Sequence, residues 1–123
     1  MVEDHPDTLK YLRLYLEQLG HEVGGAATRG AALELIRAGE WDLLLSDIAL
    51  PDGTGWDLIE SLGDHRPPVA VAFSAYDSPA DVRRSLASGF QQTFSKPLQP
   101  EKLDQLLKQV SETISPKGSS DPL

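Results

Sequence analysis

The chain has 123 residues, enough for one compact domain and too few for two. Eleven basic against 19 acidic side chains give a net charge of −8, which argues against a phosphate-backbone surface and hence against a nucleic-acid partner. The absence of cysteine excludes disulfides, thiolate zinc sites and cysteine nucleophiles. No apolar run approaches the roughly 18 residues of a membrane span, and no basic stretch leads into an apolar leader. The expectation is a soluble cytoplasmic domain without a membrane partner.

Along the chain, "DTLKYLRLYLEQLG" carries leucines at 9, 12, 16 and 19, a helical stripe with Asp7 as its cap and Gly20 at its end. "HEV" is a brief strand candidate. Thr28 caps "RGAALELIRAGE", whose Ala32, Leu33, Leu35 and Ile36 supply the buried side. "WDLLLSD" is a buried strand that ends, against its apolar character, in Asp47. Pro51, Gly53 and Gly55 then turn the chain into the short helix "GWDLIESLG". "PPVAVAFSA" is a second buried strand. "SPADVRRSLASG" reads as a helix with Ser78 at its cap, Pro79 at its first position, Asp81 closing a capping box and Gly89 after its end. "FQQTFS" is a short strand. "PEKLDQLLKQVSETI" is a helix whose residues 103, 106, 107, 110 and 114 trace one apolar face. Residues 115–123 are rich in Pro, Gly and Ser and read as a tail or linker.

Strands alternating with helices imply right-handed crossovers and a parallel sheet covered on both faces. Sites in such sheets form at the C-terminal ends of the strands. That rule gathers Asp47, Ser74 and Lys96 at one edge. It also makes "MVEDHPD" the stub of a first strand, with Glu3 and Asp4 at its end. Carboxylates that converge in a partly dry pocket repel, and oxygen-only donors suit a hard cation such as Mg²⁺. A carboxylate beside such a cation and a lysine is set up to attack a phosphoryl group, with a serine hydroxyl donating to it. Each residue has a plainer reading taken alone. Asp47 could cap the turn through Gly53, Glu3 and Asp4 could be a solvated pair, and Ser74 and Lys96 could be ordinary strand-end residues. His5, His21 and His65 offer no ligand spacing and read as surface residues. Arg83 and Arg84 read as a solvated helix face, and Trp41 and Trp56 as packing residues.

Four motifs together resemble the receiver domains of bacterial two-component response regulators. They are "VEDHPD", "SDIALPDGTG" with its D-x-x-L-P-x-x-x-G pattern, "FSA" and "SKP", in the family's order across residues 2 to 114. The resemblance implies a flavodoxin-like, doubly wound α/β fold, with a five-stranded parallel sheet in the order 2-1-3-4-5 and five helices. The domain would be residues 1–114, with a truncated first strand. Asp47 would be the phosphoacceptor. Asp4 and Asp47 would bind Mg²⁺, Glu3 would assist directly or through water, and the Ala49 carbonyl would be a further ligand. Ser74 and Lys96 would hold the phosphoryl oxygens. Pro97 would follow a cis peptide bond that aims the lysine. The domain would be no enzyme in its own right but a signalling switch that catalyses its own phosphorylation. Its partner would be a histidine kinase or a histidine phosphotransfer protein, and its state a monomer or weak dimer. "VEDHPDTL" and "AYDSPADVRRSLASGFQQTFSKPL" look most like receivers of hybrid histidine kinases.

The sequence departs from the family's pattern in three places. Only Met1 and Val2 precede the acidic pair, where the family has a longer apolar strand. Thr93 stands where the family has an aromatic switch residue, and strand alternation sends the neighbouring Phe94 to the other face. Ala49 and Tyr76, at the pocket mouth, are neither a carboxylate nor an amide that readily orients a water, so slow loss of the phosphoryl group is expected.

On the first helix, Tyr11 and Leu14 lie opposite the leucine stripe and form a candidate docking patch for the phosphodonor. An interaction module that is never phosphorylated is the alternative function, favoured by Thr93 and the short first strand and opposed by the complete acidic, serine and lysine set. A phosphatase with an aspartyl nucleophile is disfavoured, because such enzymes want a second acid where Ala49 stands.

Overall fold

The computed structural model describes residues 1–75 and 78–119, with side chains as far as 111. Tyr76 lies outside the described residues, and Ile114 outside the described side chains. The elements run α1 (Pro6–Gln18), α2 (Arg29–Ala38), β1 (Leu43–Asp47), β2 (Ala49–Leu50), β3 (Gly53–Thr54), α3 (Gly55–Leu62), β4 (Val69–Ser74), α4 (Pro79–Ser88), β5 (Gln92–Ser95) and α5 (Pro100–Ser119). Among these residues no helix is long and apolar enough to cross a membrane.

Among the described residues the main sheet is parallel and has three of the five expected strands, in the order β1-β4-β5. The expected first strand is reduced to a single residue. Val2 makes one parallel bridge to Ala26 and one to Ser46, so it sits between them at the β1 edge. Four backbone bonds hold it there: Val2 N–H to the Leu45 carbonyl, Asp47 N–H to the Val2 carbonyl, Glu3 N–H to the Ala26 carbonyl and Ala26 N–H to the Met1 carbonyl, all within 3.0 Å. The expected strand at "HEV" does not form. His21 and Glu22 are exposed, and pairing is delayed to Ala26 by Gly24 and Gly25. Gly24 is close-packed there, since a Cβ would lie 2.8 Å from Leu35 and 2.9 Å from Trp41. The turn after Asp47 also holds an unexpected element, a two-stranded antiparallel hairpin of β2 and β3.

Strand alternation divides the core into two layers. Leu45, Val71 and Phe73 pack against Leu12 and Leu16 of α1 and Leu103 and Leu106 of α5. Leu44, Ala70 and Ala72 pack against Ala32 and Ile36 of α2 and Leu58, Ile59 and Leu62 of α3. Each fully buried leucine contributes about 1.5–3 kcal/mol, so the two layers fix where the strand ends lie.

The helix starts follow from local chemistry. Thr28 Oγ1 accepts from Ala31 N–H at 3.1 Å, and Ser78 Oγ accepts from Asp81 N–H at 3.2 Å while donating to the Asp81 carboxylate at 2.8 Å. The cap of α1 is His5, not Asp7. Pro6 occupies the first helical position, which moves the cap to residue 5, and His5 Nδ1 accepts from Thr8 N–H at 3.4 Å. The leucine stripe is shorter than expected: the helix ends at Gln18, Leu9 is half-buried and Leu19 is 49 % exposed. Gly89 closes α4 at φ 126°, a conformation that favours glycine. The last helix runs to Ser119, past the expected end at 114, so the composition that reads as a tail begins inside α5.

Candidate functional site

Val2 carries Glu3 and Asp4 to the C-terminal edge of the sheet, where β1 delivers Asp47, β4 delivers Ser74 and the residue after β5 is Lys96. Lys96 joins the group. Its ammonium donates to Glu3 Oε1 at 2.8 Å and to Asp47 Oδ2 at 2.6 Å. It also lies 5.3 Å from the centre of the Phe73 ring, whose face favours a cation. The Lys96–Pro97 peptide is cis, as expected. Backbone bonding continues to the strand's tip, where Lys96 N–H donates to the Ser74 carbonyl at 3.1 Å.

Asp47 is held at both oxygens. Oδ1 accepts from Ile48 N–H at 2.6 Å and from Ala49 N–H at 3.3 Å, while Oδ2 takes the lysine. The chain must turn sharply to return these amides. Gly55 N–H donates to the Ile48 carbonyl at 2.8 Å, and a Cβ on Gly55 would collide with the Asp47 carbonyl. That collision is the physical reason for the last glycine of "DIALPDGTG".

Glu3 has no exposed surface, Asp47 is 4 % exposed and Asp4 is exposed. One oxygen of each lies within 4.8 Å of the others. Burial pushes the Glu3 carboxyl above its ordinary range; Lys96 opposes this and the Asp47 charge adds to it. Burial works to lower the Lys96 ammonium, but the hydrogen bonds and charges of Asp47 and Glu3 outweigh it and hold the lysine above its usual value. One lysine thus faces two buried carboxylates. Among the described residues Glu3 Oε2 is a buried oxygen without a hydrogen-bond partner. A buried acceptor left unpaired costs about 1–3 kcal/mol. The donor set is oxygen only, opens to solvent at Asp4 and leaves Glu3 Oε2 unsatisfied, so it fits a hard divalent cation.

Ser74 is buried at the end of β4, in register with Ser95. Ala49 is exposed at the start of the hairpin. Thr93 is half-buried on β5 opposite Ala72, while Phe94 opposes Phe73 and packs in the layer of α1 and α5, the face that alternation predicts. Tyr11 and Leu14 are 55 % and 48 % exposed on α1. Tyr11 borders a groove of about 490 Å³ that runs from Asp7 and Thr8 to Lys96, Pro97 and Leu98. With Glu3, Asp4, Asp47 and Lys96 all converging, the interaction-only reading finds no support in the site.

Three contributors were not foreseen. Phe73 lies beneath Lys96, and its only signal was its place before Ser74 in "AFSA". Asp52 reaches the start of α2, signalled only by the turn residues "PDG". Arg84 is more than a solvated residue: its guanidinium lies 5.1 Å from the centre of the Trp56 ring, and Trp56 Nε1 donates to Ser85 Oγ at 2.8 Å.

Comparison with known proteins agrees with this geometry. The profile of the response regulator receiver domain matches residues 1–108. The chain is 38 % identical over 124 residues to the aerobic respiration control sensor protein ArcB of Escherichia coli K12, covering 98 % of this chain and 16 % of that protein. It is 34 % identical over 119 residues to the sensor histidine kinase AruS of Pseudomonas aeruginosa, covering 93 % of this chain and 12 % of that one. The chain therefore spans less than a fifth of either relative. Among solved structures, a CheY-like response regulator receiver domain protein from Methanospirillum hungatei superposes with a TM-score of 0.83 at 32 % identity, covering 90 % of each chain.

Proposed function

The chain belongs to the response regulator receiver domain family, and on that premise we propose that it accepts a phosphoryl group from a phosphohistidine onto Asp47 with Mg²⁺, as a cytoplasmic signalling switch. The observation that carries this reading is the lysine bridge. Lys96 holds Asp47 Oδ2 at 2.6 Å and the fully buried Glu3 at 2.8 Å, beside a third carboxylate and an unsatisfied Glu3 oxygen. Receivers typically bind Mg²⁺ through such acids. Here Asp4 and Asp47 would hold it, with Glu3 helping and the Ala49 carbonyl completing the protein's share. When bound, it neutralises charge on the carboxylate and phosphoryl oxygens.

The chain's own residues do the rest. An oxygen of Asp47 attacks phosphorus; the P–N bond of the donor breaks and its electron pair returns to the imidazole. Lys96 moves its donors from Asp47 Oδ2 to the incoming phosphoryl oxygens while keeping Glu3. The Ser74 hydroxyl donates to another phosphoryl oxygen. The Ile48 and Ala49 amides keep the carboxylate from rotating. Loss of the Asp47–Lys96 ion pair is the change read out by α4, β5 and α5, with Thr93 and Pro97 at the moving end. Residues 1–114 form the signalling unit and 115–123 its tail or linker, whose first residues continue α5 as far as Ser119. A histidine kinase or phosphotransfer protein supplies the phosphoryl group across Tyr11 and Leu14.

Labelling with acetyl phosphate in Mg²⁺ tests the reading. Wild type gains one phosphoryl group by intact mass and Asp47→Asn gains none. Equal labelling of the two, or none of wild type, overturns it.

A further inference from the structure

The hairpin after Asp47 is tied to the start of a helix 23 residues earlier in the chain. Asp52 sits at its tip. Its Oδ1 accepts from Arg29 N–H at 2.6 Å and its Oδ2 from Gly30 N–H at 2.9 Å, the first two amides of α2. Arg29 Nε donates back to the Asp52 carbonyl at 3.3 Å. The third amide, Ala31 N–H, goes to the local cap Thr28. Helix starts leave several amides unsatisfied, and one local cap ordinarily suffices, with water taking the rest. Here a distant carboxylate takes two of them in a bidentate grip. Those amides hold the Asp52 carboxyl below its ordinary value, so the anion that grips them persists into more acidic solution.

Both ends of the grip are rigid. The helix is anchored by Ala32 and Ile36, both in the core. From Asp52 the hairpin leads directly to the site: Leu50 pairs with Gly53 and Ala49 with Thr54, and Ala49 N–H reaches Asp47 Oδ1. Thr54 caps α3 by accepting from Asp57 N–H at 3.0 Å, which fixes the returning arm. The outgoing arm, with exposed Ala49, has no such cap of its own.

We propose that Asp52 is a positioning residue for the metal site: by clamping the hairpin tip to the start of α2, it fixes the Ala49 backbone carbonyl where it serves as a metal ligand. This rests on the reading of Ala49 given above. A carboxylate that served only the helix would do no more than Thr28 does. One that serves the hairpin changes metal affinity.

The test compares Asp52→Ala with Thr28→Ala. Each removes a cap from α2, but only the first releases the hairpin. Magnesium binding is measured by isothermal titration calorimetry, and melting temperature by circular dichroism. Both variants are expected to melt a few degrees below wild type. Asp52→Ala raises the Mg²⁺ dissociation constant at least fivefold, and Thr28→Ala leaves it within twofold. Asp52→Asn, whose amide oxygen can take one of the two N–H groups, falls between; it also serves if the alanine variant does not fold. Unchanged Mg²⁺ binding in Asp52→Ala, or equal weakening in Thr28→Ala, overturns the proposal. If wild type binds Mg²⁺ and is labelled by acetyl phosphate, such a result overturns this proposal alone. If wild type takes up no Mg²⁺, the functional reading falls first and this one with it.

Discussion

Lys96 lies 2.8 Å from a Glu3 carboxylate that has no contact with solvent, across 93 positions of sequence. Removing one member of a buried ion pair leaves the other uncompensated, at about 3–5 kcal/mol. Lys96 is 28 % exposed, so water can partly replace it. Lys96→Met should therefore lower stability by about 3 kcal/mol, the low end of that range, as read by urea unfolding at pH 7. The double variant Glu3→Gln/Lys96→Met should recover most of the loss. A double variant as unstable as the single one would place the uncompensated charge at Asp47, the second buried carboxylate on Lys96, and not at Glu3.

The same pair sets a pH dependence. The folded-state Glu3 carboxyl is raised above 4.5, mainly by burial. Between 4.5 and the raised value the folded state binds the extra proton, so stability falls as pH rises through that window. In metal-free buffer, wild type minus Glu3→Gln should show this negative slope starting near pH 4.5. Lys96 gives its own loss at the alkaline end. Its contribution is complete below 10.5 and disappears as pH rises through its raised folded-state value. A difference curve that is flat or rising above pH 4.5 would falsify the assignment of burial as the dominant force on Glu3.

The reach of sequence reasoning here follows physical lines. Asp47, Ser74 and Lys96 were legible because each ends an apolar strand, and a parallel sheet gathers strand ends at one edge. Ser78 and Thr28 were legible because capping is local. The number of strands was not, because it depends on ladder length. Val2 pairs on both sides with single bridges, and the glycines at 24 and 25 delay pairing to Ala26. The His5 cap was missed because Pro6 fixes the first helical position and a histidine ring seldom serves as a cap. Asp52 was missed because its partners lie more than 20 residues away, and no periodicity reports such a contact.

Tyr11 and Leu14 stand 55 % and 48 % exposed on the helix that borders the groove leading to Lys96. Exposed aromatic and aliphatic side chains beside a reactive centre suit a helix carrying the donor histidine. Tyr11→Ala and Leu14→Ala should each slow transfer from the cognate phosphohistidine about tenfold, the order of 1.4 kcal/mol of lost contact. Acetyl phosphate needs no docking, so its labelling rate should be unchanged. Equal slowing with both donors would assign the residues to the fold instead of the partner.

The lifetime of the phosphoryl group depends on what can orient a water at the mouth of the site. Hydrolysis needs a water in line with the P–O bond, held by an acceptor that can take its proton. Ala49 is exposed next to the carboxylate and presents only a methyl group. Lys96, the nearest charged neighbour of Asp47, is a donor and binds phosphoryl oxygens better than it orients a nucleophile. Phosphorylated wild type should therefore persist for many minutes in Mg²⁺, and Ala49→Asn, which adds an acceptor at the mouth, should shorten the half-life severalfold. Both are read by the decay of the phosphorylated mass after desalting. Ala49→Leu adds bulk without an acceptor and separates water orientation from simple exclusion: it should leave the half-life equal or longer. A wild-type half-life of seconds, or equal shortening by asparagine and leucine, would mean that another group positions the water.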